Sequence, residues 1–139
     1  MKLKLFNITG KLVTKNVSKY VINWDEESRS KLQFKVKQFL KPYWRYQMVF
    51  EEFPVYGTRM AVDIVNATKK IAIEVNGPQH KKFNKFFHNS KADYLASIQR
   101  DWKKTEWLTK NNFELIEIES EEVDGISKEF IQEKFGVSI

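Results

Sequence analysis

The chain has 139 residues, 42% hydrophobic and 30% charged, with 24 Lys and Arg against 18 Asp and Glu for a net charge of +6. That length suits one domain, and the composition excludes a disordered tail. With no cysteine and only two histidines, His80 and His88, disulfides, thiolate metal sites and cysteine nucleophiles are excluded, and a histidine-rich zinc site is not expected.

No apolar run approaches the ~20 residues that span a bilayer. The alternating segment 1–6 lacks the apolar block of a signal peptide. A cytoplasmic location and no membrane partner are expected. The basic excess points to a polyanionic partner, nucleic acid first.

Residues 2–6 and 11–15 alternate around Ile8-Thr9-Gly10, which predicts a hairpin. Lys19-Tyr20-Val21-Ile22 predicts a third short strand. Asn23 or Asp25 is expected to cap the next helix, with Glu26 and Glu27 in its first turn, where acids suit the helix dipole. Leu32, Val36, Phe39 and Leu40 fall on one helical stripe, and Pro42 is expected to end that helix. Strands are predicted at 44–53, 59–65 and 70–76. The links between them are of hairpin length, so they are antiparallel. Residues 77–90 read as a loop, with His88 at its surface.

A helix over about 91–110 follows, with Ser90 as its cap and Leu95, Ile98, Trp102 and Thr105 facing the core. Asn111-Asn112 suits its end. Residues 113–118 read as a strand and 127–135 as a short helix. The fold class is therefore α/β, an α+β sandwich. A mixed central sheet contains a three-stranded antiparallel meander and is flanked by helices. One domain is expected, with 1–24 a hairpin extension, 25–118 the core, and 119–139 an acidic segment and C-terminal helix.

Two acids carry the chemistry. Strand side chains alternate faces, so Asp63 points away from the apolar set Met60, Val62 and Ile64. Glu74 and Asn76 point away from Ile71, Ile73 and Val75. The simple reading is two solvated acids on an exposed sheet face. If they are buried, each needs a partner, since burying a lone carboxylate costs several kcal/mol. A divalent cation with oxygen ligands, such as Mg²⁺, would join them. Gly77-Pro78-Gln79-His80 follows Glu74 directly, and a tight turn would bring polar groups beside the carboxylates. Lys81, Lys82 and Lys85 then offer cations for phosphates, interleaved with Phe83, Phe86 and Phe87. Glu51 and Glu52 alternate faces, so at most one is expected to point inward. The acidic run from Glu117 to Asp124 would repel DNA and is expected to face away from it. Basic residues gather at Lys31 to Lys41, Lys81 to Lys85 and Arg100 to Lys104.

The strings Arg59-Met60-Ala61-Val62-Asp63-Ile64 and Ile71-Ala72-Ile73-Glu74-Val75-Asn76-Gly77-Pro78-Gln79-His80 resemble the PD-(D/E)XK nuclease superfamily. Within it they are most similar to the branch around very-short-patch-repair endonucleases. The resemblance covers about residues 26–118 and includes the order helix, three strands, helix, strand. Two positions depart from the pattern: Val62 stands where a proline precedes the aspartate, and Asn76 replaces the motif lysine.

The resemblance implies a restriction-endonuclease-like core and a metal-dependent endonuclease that hydrolyses DNA phosphodiesters. Mg²⁺ or Mn²⁺ would be held by Asp63, Glu74 and the backbone carbonyl of Val75. The missing basic group would come from Gln79, His80, Lys81, Arg100, Lys103 or Lys104, with His80 and Gln79 nearest the motif. An acid from the first helix, Glu27 or Glu26, would join the site. Lys81, Lys82, Lys85, Arg100, Lys103 and Lys104 would contact DNA, duplex or branched. A homodimer through the open edge of the N-terminal hairpin is a further expectation. Because Asn76 stands at the lysine position, two alternatives go with this reading. One is an inactive nucleic-acid-binding module on the nuclease fold, and the other is a protein-interaction subunit.

Overall fold

The computed structural model describes residues 1–77 and 91–139. Among these, the strands are β1 (Lys2–Phe6), β2 (Leu12–Asn16), β3 (Val49–Pro54), β4 (Ala61–Asn66), β5 (Ile71–Asn76) and β6 (Glu114–Glu119). The helices are α1 (Lys31–Trp44), α2 (Lys91–Lys110) and α3 (Lys128–Phe135). The first two strands form a separate antiparallel hairpin. The other four form one sheet in the order β3-β4-β5-β6. β3, β4 and β5 are an antiparallel meander, and β6 lies parallel to β5. A parallel neighbour needs a crossover, and α2 lies within it. The fold is the expected mixed sheet flanked by helices. No helix among the described residues is long and apolar enough to cross a membrane.

Both sheet faces are covered, so β4 is buried along nearly its whole length. One cluster packs Ile71, Ile73, Ile116 and Ile118 against Val36, Leu40 and Trp44 of α1 and Ile131 of α3. The other packs Phe50, Val65 and Ala72 against Leu5 and Val17 of the hairpin region and Trp107 and Leu108 of α2. Period-two alternation sends Ile71 and Ile73 one way and Ala72 the other.

Several expectations are corrected. The strand predicted at residues 19–22 is instead a 3-10 turn at Ser18–Tyr20. Val21 makes only an isolated bridge to Phe50. The first helix begins later than expected, because the Ser30 hydroxyl accepts from the Gln33 N–H and caps it. Glu26 and Glu27 therefore precede α1. Asn23 caps no helix; its side chain accepts from the Asp25 N–H in a local turn. Pro42 lies inside α1, which runs on to the fully buried Trp44. The one backbone bond a proline forfeits is offset there by burial of a large indole. Trp44 thus belongs to α1, and β3 starts at Val49.

On α2 the expected inward stripe is wrong. Leu95, Ile98 and Trp102 are exposed, Trp102 by 65%, and Thr105 is exposed as well. Trp107 and Leu108 are the buried residues. A 20-residue helix is about 30 Å long, while six-residue strands cover only about 20 Å. The sheet therefore shields one end of α2, and its position selects which face is buried. Asn112 ends the helix with a φ of 63°, as expected, and the Ser127 hydroxyl accepts from the Phe130 N–H to cap α3.

Candidate functional site

Asp63 and Glu74 are 7% and 9% exposed, so they are not solvated surface acids. The β4–β5 ladder pairs Ile64 with Ile73 and ends there. One residue further, each carboxylate takes up a backbone donor from the other strand. Asp63 Oδ2 accepts from the Val75 N–H at 2.8 Å. Glu74 Oε2 accepts from the Asp63 N–H at 3.1 Å. Two buried donors are satisfied in this way that would otherwise cost about 1–3 kcal/mol each. The Val75 N–H thus holds the Asp63 carboxylate.

Lys104 reaches this pair from α2. Its Nζ lies 2.5 Å from Glu74 Oε1, with both side chains largely buried. Burial, and then the adjacent Glu74 carboxylate, push the Asp63 acid up to about 8. A hydrogen bond between the two side chains and the charge of Glu52 act in the same direction, while the Val75 N–H opposes them. Burial and the neighbouring Glu74 thus both favour the protonated form of Asp63.

A pocket of about 280 Å³ opens beside Glu74 and is lined by Asn76, Asp101, Lys104, Glu117 and Glu119 among others. The parallel register places Glu117 beside Glu74 and Glu119 beside Asn76. The acidic run therefore does not face away from the carboxylate pair; its first two acids border the same pocket. The Asn76 amide, at the motif lysine position, donates to Glu119 Oε1 at 3.4 Å.

The remaining candidates separate. Glu27 is exposed before α1, borders a shallow hollow with Arg29 and Phe34, and makes no hydrogen bond to the acid pair. Arg100 and Lys103 are exposed on α2. Lys104 is engaged by Glu74 rather than left free for DNA. Gln79, His80, Lys81, Lys82, Lys85, His88, the three phenylalanines between them and the cap Ser90 lie outside the described residues. The basic run of α1 is largely neutralised: Lys35 pairs with Asp124, Lys37 with Glu51 and Lys41 with Asp25.

A second polar cluster was not anticipated. Lys37 is fully buried. It donates to Glu51 Oε1 at 2.9 Å and to the Glu26 carbonyl at 2.7 Å. Gln33 donates to both Glu51 Oε2 and Glu52 Oε2, at 2.9 and 3.1 Å. Consecutive strand residues ordinarily point to opposite faces, but Glu52 has a φ of 51°, and this left-handed backbone brings both carboxylates to one amide. The expectation that only one points inward is corrected. The same twist puts Phe50 and Phe53, three residues apart, in one cluster with ring centroids 5.1 Å apart. The register pairs Glu51 with Ile64 and Phe53 with Val62, so Glu52 sits at the skipped rung opposite Asp63. The signal in the sequence was Gln33 and Lys37, which share a helical face with Val36, Leu40 and Trp44.

The donor set suits a hard cation. The acid pair presents oxygen ligands, and with both acids ionised it would carry more negative charge than Lys104 alone balances. No group of three or more acidic or histidine ligands forms a cage among the described residues. Mg²⁺ is commonly held by one or two carboxylates, with water and substrate phosphate completing its shell, and two carboxylates meet that requirement.

No protein-family model matches the chain, and no solved structure matches it. It is 32% identical over 80 residues to Uncharacterized protein 033L of Invertebrate iridescent virus 3. The similarity covers 58% of this chain and 41% of the viral protein, so the chain spans about two fifths of the length of that relative.

Proposed function

We propose that the protein is a metal-dependent endonuclease that hydrolyses DNA phosphodiesters, with a restriction-endonuclease-like core. The observation that carries this reading is the joining of Asp63, Glu74 and Lys104 across two strands and a helix. The two acids interrupt apolar strands, and the motif resemblance includes both. Lys104 provides, from α2, a cation of the kind that Asn76 cannot provide from β5.

Asp63 and Glu74 would hold Mg²⁺ or Mn²⁺, which supplies a more acidic bound water and neutralises charge on the scissile phosphate. Binding requires Asp63 to give up its proton. Lys104 orients Glu74 through their ion pair, and once a cation took up the Glu74 carboxylate its ammonium would be released to meet a phosphate oxygen as negative charge develops. The Val75 N–H fixes the Asp63 carboxylate, and the Asp63 N–H fixes that of Glu74. The flanking acids Glu117 and Glu119 repel a phosphate chain along β6, which restricts its approach to the Lys104 side.

Those same acids favour a second reading, a nuclease-fold module that binds nucleic acid without cutting it. Incubation of supercoiled plasmid with Mg²⁺ or Mn²⁺ separates the two. The nuclease reading predicts nicked and linear products that disappear in Asp63→Asn and Glu74→Gln. Full cleavage by both variants would overturn the site, and duplex binding without cleavage under either cation would favour the second reading.

A further inference from the structure

We infer that the N-terminal hairpin is the surface that anchors the protein to the phosphate backbone of duplex nucleic acid. This rests on the proposed nuclease reading for its partner, but on different residues. Residues 1–24 contain five lysines and no acid, whereas the remaining 115 residues carry 19 basic against 18 acidic side chains. Nearly the whole net charge therefore resides in the hairpin and the turn that follows it.

The structure leaves that charge available. Lys2, Lys4, Lys11, Lys15 and Lys19 are all exposed, and none has an acidic partner among the described residues. On α1, in contrast, Lys35, Lys37 and Lys41 are paired with Asp124, Glu51 and Asp25. Across the hairpin, Lys2 faces Asn16 and Lys4 faces Thr14, so no cross-strand acid neutralises them. Lys110 adds to the patch, its Nζ reaching to within 3.7 Å of where a side chain at Gly10 would begin.

The hairpin is also rigidly placed. Asn111 Oδ1 accepts from the Phe6 N–H at 2.8 Å, and the Trp107 indole donates to the Phe6 carbonyl at 2.6 Å. The Tyr56 hydroxyl donates to the Leu3 carbonyl at 2.9 Å. Lys104, Trp107, Leu108 and Asn111 fall on one helical stripe, so one face of α2 carries both the hairpin dock and the contact to Glu74. Seven residues separate Lys104 from Asn111, about 10 Å along the helix. The hairpin dock and the contact to Glu74 are therefore separated along α2 by much less than one turn of a duplex, about 34 Å.

The chemistry favours backbone over base contacts. The patch is all lysine, a point charge without the bidentate fork that reads guanine. A homodimer through the same hairpin would bring two such patches together, and like charge opposes it.

The test is fluorescence anisotropy of the full chain with a 20-base-pair duplex, in EDTA, across a salt series. Each lysine–phosphate contact contributes about 0.9 to the slope of log affinity against log salt. The variant Lys2→Gln/Lys4→Gln/Lys11→Gln is expected to bind more weakly by about 100-fold or more at 0.1 M salt, with a slope shallower by about 2 to 3. The control Lys35→Gln/Lys41→Gln should match the wild type. An unchanged slope in the triple variant overturns the inference. So does binding of phosphatidylserine vesicles without duplex binding, or a dimer by light scattering that only the triple variant loses. Wild-type duplex binding without cleavage under any divalent cation would sink the nuclease reading and leave the hairpin assignment standing.

Discussion

Lys104 Nζ lies 2.5 Å from Glu74 Oε1, so α2 brings a cation to a carboxylate of β5. Replacement by methionine keeps the aliphatic stem and removes the charge. We expect Lys104→Met to lower single-turnover cleavage by about 100-fold or more, the usual scale for losing one preorganised charge at a reacting phosphate. Duplex affinity in EDTA should change little, because this ammonium is already paired. Cleavage at the wild-type rate would show that another basic group serves the site.

Asp63 gives the metal-free protein an unusual pH dependence. Its acid rises from an ordinary 3.8 to about 8 on folding. Below pH 4 both folded and unfolded forms carry the proton, so the group's contribution is fully present. Between 4 and 8 only the folded form holds it, so stability falls as pH rises, by at most about 1.4 kcal/mol per pH unit. Above 8 the slope vanishes. Urea denaturation in EDTA at pH 5, 6, 7 and 8 should show this fall in the wild type and its absence in Asp63→Asn. Parallel curves would place the proton elsewhere.

Asn111 is the hinge pin of the hairpin dock. It is buried and makes three hydrogen bonds, one from the Phe6 N–H and two to the Phe6 and Trp107 carbonyls. Asn111→Ala leaves buried backbone groups unsatisfied and should cost about 2–3 kcal/mol in urea unfolding. A loss under about 0.5 kcal/mol, typical of a surface change, would mean the dock is not held there.

Lys37 is buried with Glu51. Lys37→Met removes one partner and should cost about 3–5 kcal/mol, because Glu51 is left as an uncompensated charge. The double variant Lys37→Met/Glu51→Gln should recover part of that loss in thermal melts. No recovery would mean that Lys37 acts through its stem rather than its charge.

Element types were legible where one physical signal dominated. Alternation revealed the hairpin and the strands β4 and β5, and Asn112 marked a helix end through local chemistry. The acid pair was legible because Asp63 and Glu74 interrupt apolar strands. What failed depended on tertiary position. The exposed stripe Leu95, Ile98 and Trp102 has the same spacing as a buried one, and only the extent of the sheet decides between them. Lys104 was one of several cations in reach by sequence; helix packing chose it. Glu52 escaped because nothing local marks a left-handed residue within a strand, and its side chain joins Glu51 only through that backbone. Pro42 misled because burial of Trp44 outweighed a lost hydrogen bond.

We propose that Asp63 and Glu74 together hold a divalent cation. Calorimetric titration of Mn²⁺ into the metal-free chain at pH 7.5 tests it directly. One ion per chain should bind the wild type, with binding lost in both Asp63→Asn and Glu74→Gln while the variants remain folded. No heat from the wild type, or the same isotherm from both variants, would contradict it.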